Sequence, residues 1–94
     1  MDKTTDWIWS FHGDGAMLCT AVFTDFEQAD KWIREYKLSG VLTKMPVNQS
    51  IYHWATETGM FRPKSDLQQT PQFIQRFTSA YLEHYHYENG NNDE

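Results

Sequence analysis

The sequence predicts an α+β domain of order ββαβααβ, with an about four-stranded, mostly antiparallel sheet and two or three helices packed on one face. Three patterns carry that expectation. Trp7-Ile8-Trp9-Ser10-Phe11-His12 alternates, with Trp7, Trp9 and Phe11 on one side. Phe26, Ala29, Trp32, Ile33 and Tyr36 recur at helical spacing. Tyr81–Glu88 alternates again, placing Tyr81, Glu83, Tyr85 and Tyr87 on one face and Leu82, His84, His86 and Glu88 on the other. A period of two marks a strand, and a period near 3.6 an amphipathic helix.

The elements follow in order. Gly13-Asp14-Gly15 closes a hairpin, because glycine tolerates positive φ and Asp bonds readily to its local backbone. Met17-Leu18-Cys19-Thr20-Ala21-Val22-Phe23 then reads as the returning strand. The same glycines could suggest a phosphate cradle, but the Lys and the following helix of a P-loop are missing. Thr24 with Glu27 three residues on forms a capping box for the first helix. Glu27–Lys31 and Asp30–Arg34 support its wet side as i,i+4 pairs, and Gly40 is expected to end it. The aromatic stripe, with Trp32 at its centre, is expected to pack on Trp9 and Phe11. Val41–Met45 is a third strand closed by Pro46. A second helix runs from Asn48 or Ser50 through Trp54 towards Gly59. A polar loop follows, and Thr70-Pro71 then caps a short third helix with Phe73, Ile74 and Phe77 inward. The last strand is expected over about Ser79–Glu88. Residues 1–5 and 89–94 are polar, with nothing to bury, and are expected to be disordered.

The 94 residues fit one domain, 1–94, whose core must be efficient. Aromatic residues make up 16% of the chain, and each buries much area. Mean hydropathy is −0.72 and no apolar run is long enough to span a membrane. The start of the chain lacks a signal-peptide pattern, and the single cysteine, Cys19, forms no internal disulfide. These features point to the cytoplasm. A net charge of −5 argues against nucleic acid, whose binding needs clustered cations, and fits a basic protein partner. Arg62-Pro63-Lys64 is a small basic spot that reads first as a solvated loop.

Ordinary core building does not call for two histidines on one strand face, so the last strand is the first place to look for function. His84 and His86 at i,i+2 could share a metal with a further ligand from His12, His53, Glu83 or Glu88. Glu83 and Glu88 lie on opposite faces and roughly 16–17 Å apart, so they make no acid–base dyad. Cys19, between Leu18 and Thr20, reads as a small core residue rather than a nucleophile. If the histidine face packs, the tyrosine face becomes a contact surface, since Tyr buries much area at little entropic cost.

Phe-His-Gly-Asp-Gly-Ala (11–16), Leu-Ser-Gly-Val-Leu-Thr (38–43), Pro-x-Phe-Ile-x-Arg-Phe-x-Ser-Ala (71–80) and Glu-His-Tyr-His-Tyr-Glu (83–88) span nearly the whole chain. With these motifs the sequence resembles a family of short uncharacterised bacterial proteins. In size and charge it is also similar to the immunity proteins encoded beside secreted toxins. The expectation is a non-enzymatic protein-binding module without a cofactor, an immunity-type inhibitor of a basic toxin domain, monomeric or weakly homodimeric. Asp14, Glu83, Tyr85, Tyr87 and Glu88 are its expected contact residues. The competing expectation is a small metal- or ligand-binding protein or enzyme built on His84 and His86, with His12.

Overall fold

The computed structural model describes residues 6–92. Strands β1 (Trp7–Gly13), β2 (Ala21–Phe23), β3 (Gly40–Pro46) and β4 (His84–Tyr87) form an antiparallel sheet in the spatial order β2-β1-β3-β4. Helix α1 (Phe26–Glu35) joins β2 to β3. Helix α2 (Ile51–Glu57), a 3₁₀ turn over Asp66–Gln69 and helix α3 (Pro71–Gln75) join β3 to β4. The fold is α+β, as the alternation and the helical stripe imply. Among the described residues, no helix is long and apolar enough to cross a membrane.

The register explains where the core lies. Phe11 pairs with both Ala21 and Leu42, and Leu42 with Tyr85, so these side chains share one row and one face. Helix α1 covers that face. Its Ala29 and Ile33 are fully buried with Phe11 and Leu42, and Trp9 and Tyr87 complete the buried set. Aromatic edges fill the remaining space: Trp32 stands edge-on to Phe11 with ring centroids 5.7 Å apart, and Phe26 meets Trp9 at 5.0 Å. Trp32 thus packs on the sheet as the stripe predicts, although it remains half-buried and Tyr36 lies outside at 63% exposure.

A second aromatic group surrounds Tyr52, with Phe61, Phe73 and Phe77 at 5.9, 6.3 and 5.4 Å. The Tyr52 hydroxyl donates to the carbonyl of Gln68 at 2.9 Å, tying α2 to the 3₁₀ turn. Trp54 of α2 meets Trp7 edge-on at 6.3 Å and so connects this group to the sheet. Ser50 and Thr70 cap α2 and α3 through their hydroxyls.

Several boundaries differ from the expectation. The cap of α1 is Asp25, not Thr24; its carboxylate accepts the Glu27 N–H at 3.2 Å. A carboxylate also suits the positive end of the helix dipole. The helix ends at Glu35 with Tyr36 as its C-cap, and Lys37 rather than Gly40 closes it. Lys37 takes φ 56°, Leu38 N–H bonds Ile33 O at 3.0 Å, and Lys37 N–H bonds Arg34 O at 3.3 Å. That is the two-bond C-terminal lock usually built on glycine. Gly40 belongs to β3, where a Cβ would lie 2.8 Å from Cζ of Phe11 and closer still to the carbonyl of His12. Glycine is there so that the Phe11 ring can lie across the backbone.

β2 begins only at Ala21. Met17 and Leu18 are 93% and 79% exposed, and Cys19 is exposed rather than a core residue. β4 is four residues long, and Ser79–Tyr81 precede it as irregular chain. Residues 89–92 have defined places, contrary to the expected disorder. Glu88 and Asn91 exchange backbone hydrogen bonds of 2.9 and 3.0 Å, and Gly90 N–H donates to Leu38 O at 2.8 Å. The expected disorder of residues 1–5, 93 and 94 lies outside the described residues.

Candidate functional site

The tyrosine face of β4 is the inward one, which corrects the exposed surface expected of Tyr85 and Tyr87. Tyr87 is 4% exposed, and its hydroxyl donates to Asp30 Oδ1 at 2.7 Å. Asp30 also accepts from Arg34 Nε at 3.0 and 2.9 Å, so one carboxylate holds a phenol and a guanidinium. Burial, then the bond to Asp30, pushes the Tyr87 phenol well above its usual range. The hydrogen bond and the charge of Asp30 raise the Arg34 pKa in turn. Tyr85 is half-buried against Phe26 and Trp9, at 5.4 and 6.0 Å, and its hydroxyl donates to Glu83. The physical reason is register: Tyr85 pairs with Leu42 and Tyr87 with Gly40, so both project beneath α1.

The other face carries the histidines. His12 pairs with Val41, and Val41 with His86; Ser10 pairs with Thr43, and Thr43 with His84. None of these six side chains is buried. His84 and His86 are adjacent, with ring centroids 5.3 Å apart. His12 lies in the row of His86 but two strands away, about 10 Å at the usual strand spacing. Its Nε2 is within 2.7 Å of Ala16 O, at the hairpin. Among the described residues, no three His, Cys, Asp or Glu side chains converge as a metal-binding group. The His12–His84–His86 set therefore shares a face without closing into one centre. His53 stands apart on α2 beside Glu57, at 3.2 Å.

Of the acidic residues, Asp14 and Glu88 are brought to the same end of the sheet. Asp14 N–H bonds Ser39 O at 2.9 Å, and the residue after Glu88, Asn89, bonds Ser39 Oγ at 2.9 Å. Both carboxylates are on exposed residues. Glu83 lies at the opposite end of β4, where its carbonyl accepts Lys44 N–H at 2.9 Å. Arg62 and Lys64 are exposed in the loop before the 3₁₀ turn.

Sequence reasoning missed the most exposed apolar group. Met17, Leu18 and Val22 are 93%, 79% and 54% exposed on the hairpin loop and the outer strand β2. Met17 and Leu18 precede β2, so strand alternation does not apply to them and gives no signal of their exposure. A further open cleft of about 300 Å³ lies elsewhere, lined by Phe73, Arg76, Phe77 and Thr78. It combines aromatic walls with one guanidinium and contains none of the expected site residues.

No curated protein and no solved structure matches this chain. A family model described as "Domain of unknown function (DUF7710)" matches residues 8–93, from the second residue of β1 to beyond the Glu88–Asn91 bridge. The chain belongs to the DUF7710 family.

Proposed function

We propose that this protein is a non-enzymatic, cytoplasmic protein-binding module whose contact surface is the hairpin side of the sheet. The observation that supports the reading is the exposure of Met17, Leu18 and Val22 on the hairpin loop and β2, with the acidic Asp14 three residues before Met17 in the same loop. An apolar centre with a charged rim is the usual anatomy of a protein contact, and clustered exposed apolar side chains mark such sites. Tyr85 and Tyr87 pass from the contact surface to the packing beneath α1; Asp14 and Glu88 remain as rim charges. Glu83, bonded to Tyr85, serves the opposite end of the strand.

In its finer form the reading is an immunity-type inhibitor: a small acidic domain, net charge −5, that seats a basic partner such as a toxin domain. Charge complementarity would then steer association and set its salt dependence. The test is capture of a partner from the native cell, followed by binding to the purified partner. Met17→Ser with Leu18→Ser should abolish binding while leaving the thermal melt in place. Asp14→Asn with Glu88→Gln should slow association at low salt and leave dissociation nearly unchanged. Unaltered affinity in the first double variant would sink the proposed surface, and failure to capture any specific partner would sink the function.

A further inference from the structure

We infer that His84 and His86 form a two-imidazole binding site for a divalent late transition metal ion, reached from solvent on the face of the sheet away from α1. This inference is independent of the protein-binding surface at the hairpin.

Three observations carry it. The first is spacing. A metal–nitrogen bond of about 2.0–2.1 Å places an imidazole centroid about 3.2 Å from the ion, so two imidazoles at a tetrahedral ion have centroids about 5 Å apart. The centroids of His84 and His86 are 5.3 Å apart. Their interplanar angle of 79° is no obstacle, since the exposed His86 ring can turn to meet an ion held by His84.

The second is the tautomer of His84. Its Nδ1 lies 2.7 Å from the carbonyl of Leu82, an acceptor only, so Nδ1 carries the proton and Nε2 carries the lone pair. A backbone carbonyl holding one ring nitrogen is the usual outer support of a metal-ligating histidine. Leu82 is itself 3% exposed, which fixes the carbonyl and through it the ring. The third is availability. Neither ring nitrogen of His86 has a hydrogen-bond partner among the described residues, and the side chain is exposed.

Thr43, which pairs with His84, and Val41, which pairs with His86, supply no competing cation. Two protein ligands leave the remaining positions to water. The donor set of imidazole and water suits zinc, copper(II) and nickel(II) and disfavours magnesium and calcium. Affinity should follow the usual order, with copper(II) bound most tightly.

Isothermal titration of the untagged protein with Cu²⁺, Zn²⁺ and Mg²⁺, with electron paramagnetic resonance of the copper form, tests the site. One equivalent of Cu²⁺ should bind, with nitrogen hyperfine structure from two imidazoles, Zn²⁺ more weakly, and Mg²⁺ not at all. His84→Ala and His86→Asn should each weaken Cu²⁺ binding by about tenfold or more, the scale on which loss of even an outer-shell partner is felt. His86→Asn alters an exposed side chain, so its apo thermal melt should match the parent and separate ligand loss from misfolding. His12→Ala and His53→Ala should leave the titration unchanged. Binding that survives His86→Asn, or that vanishes in His12→Ala or His53→Ala, would overturn the assignment to this pair.

Discussion

Tyr87→Phe tests the hydrogen bond that runs from β4 to Asp30 of α1 across the core. The change removes the hydroxyl that donates to Asp30 Oδ1 at 2.7 Å and also meets the Asn92 side chain, leaving the ring in its place. A hydrogen bond to a charged group contributes about 1.5–3 kcal/mol. Asp30 keeps Arg34 after the substitution, and its side chain is 25% exposed, so water can replace part of the loss. The expected cost therefore lies at the lower end, about 1.5 kcal/mol. For a chain of this length that is roughly 6–12 °C in Tm. Equilibrium urea unfolding at pH 7 measures it directly. The pH dependence supplies a second, independent readout. The folded phenol titrates above the unfolded one, so its contribution is fully present below about pH 10 and is lost as pH rises further. Above about pH 10 the parent should lose stability more steeply than Tyr87→Phe, by up to about 1.4 kcal/mol per pH unit. A Tyr87→Phe protein within a few tenths of a kcal/mol of the parent, with the same alkaline slope, would refute the assignment of this bond as a tie between helix and strand.

Three further outcomes follow from the packing. Ile33→Ala, at a fully buried position under α1, should cost about 2–5 kcal/mol in urea unfolding, whereas Trp32→Ala should fall at or below about 3 kcal/mol because part of that ring already meets water. Gly40→Ala should destabilise strongly and broaden the amide spectrum, since the added methyl meets the His12 carbonyl and the Phe11 ring. Cys19 should react with a soluble disulfide reagent in the native protein at the rate of a free thiol, and protection until denaturant is added would place the hairpin loop differently.

The parts of the fold that depend on local pattern were legible in the sequence. The alternation in Trp7–His12, the stripe through Ala29 and Ile33, and the capping hydroxyl of Thr70 each act over a few residues, and each appears where the pattern puts it; of Asn48 and Ser50, the structure takes Ser50 as the cap of α2. What could not be read was which face of β4 turns inward, because Tyr85 and His84 both suit a half-buried strand. Pairing with β3 decided it, through Leu42 and Gly40, some forty residues earlier in the chain. The helix end was misplaced for a related reason. Gly40 resembles a helix stop, but the Phe11 ring from another strand claims it, and Lys37 takes the left-handed position instead. The tail was judged by its polarity, and its order comes from backbone bonds to Leu38 and Ser39 that polarity does not report. For the site, the adjacency of His84 and His86 was visible from alternation alone. The carbonyl of Leu82 that orients His84, and the exposure of Met17 and Leu18, required the three-dimensional path.

The central pair of the sheet is long and its margins are short. β1 and β3 pair over seven residues, from Trp7–Pro46 to Gly13–Gly40, whereas β2 covers three residues on one side and β4 four on the other. An intruding chain would find only a brief ladder to extend at either margin. Just before β2, Thr20 N–H is bonded back to Phe11 O of β1 at 2.7 Å and the chain leaves the sheet as an exposed loop, and beyond β4 it folds back through Gly90. Short, interrupted margins are how soluble sheets resist edge-to-edge growth. The same economy leaves apolar side chains, rather than backbone, as the groups most freely offered to a visitor. Recognition by this protein should then depend on the shape of what it meets more than on strand pairing, and a partner peptide stripped of its fold should bind poorly.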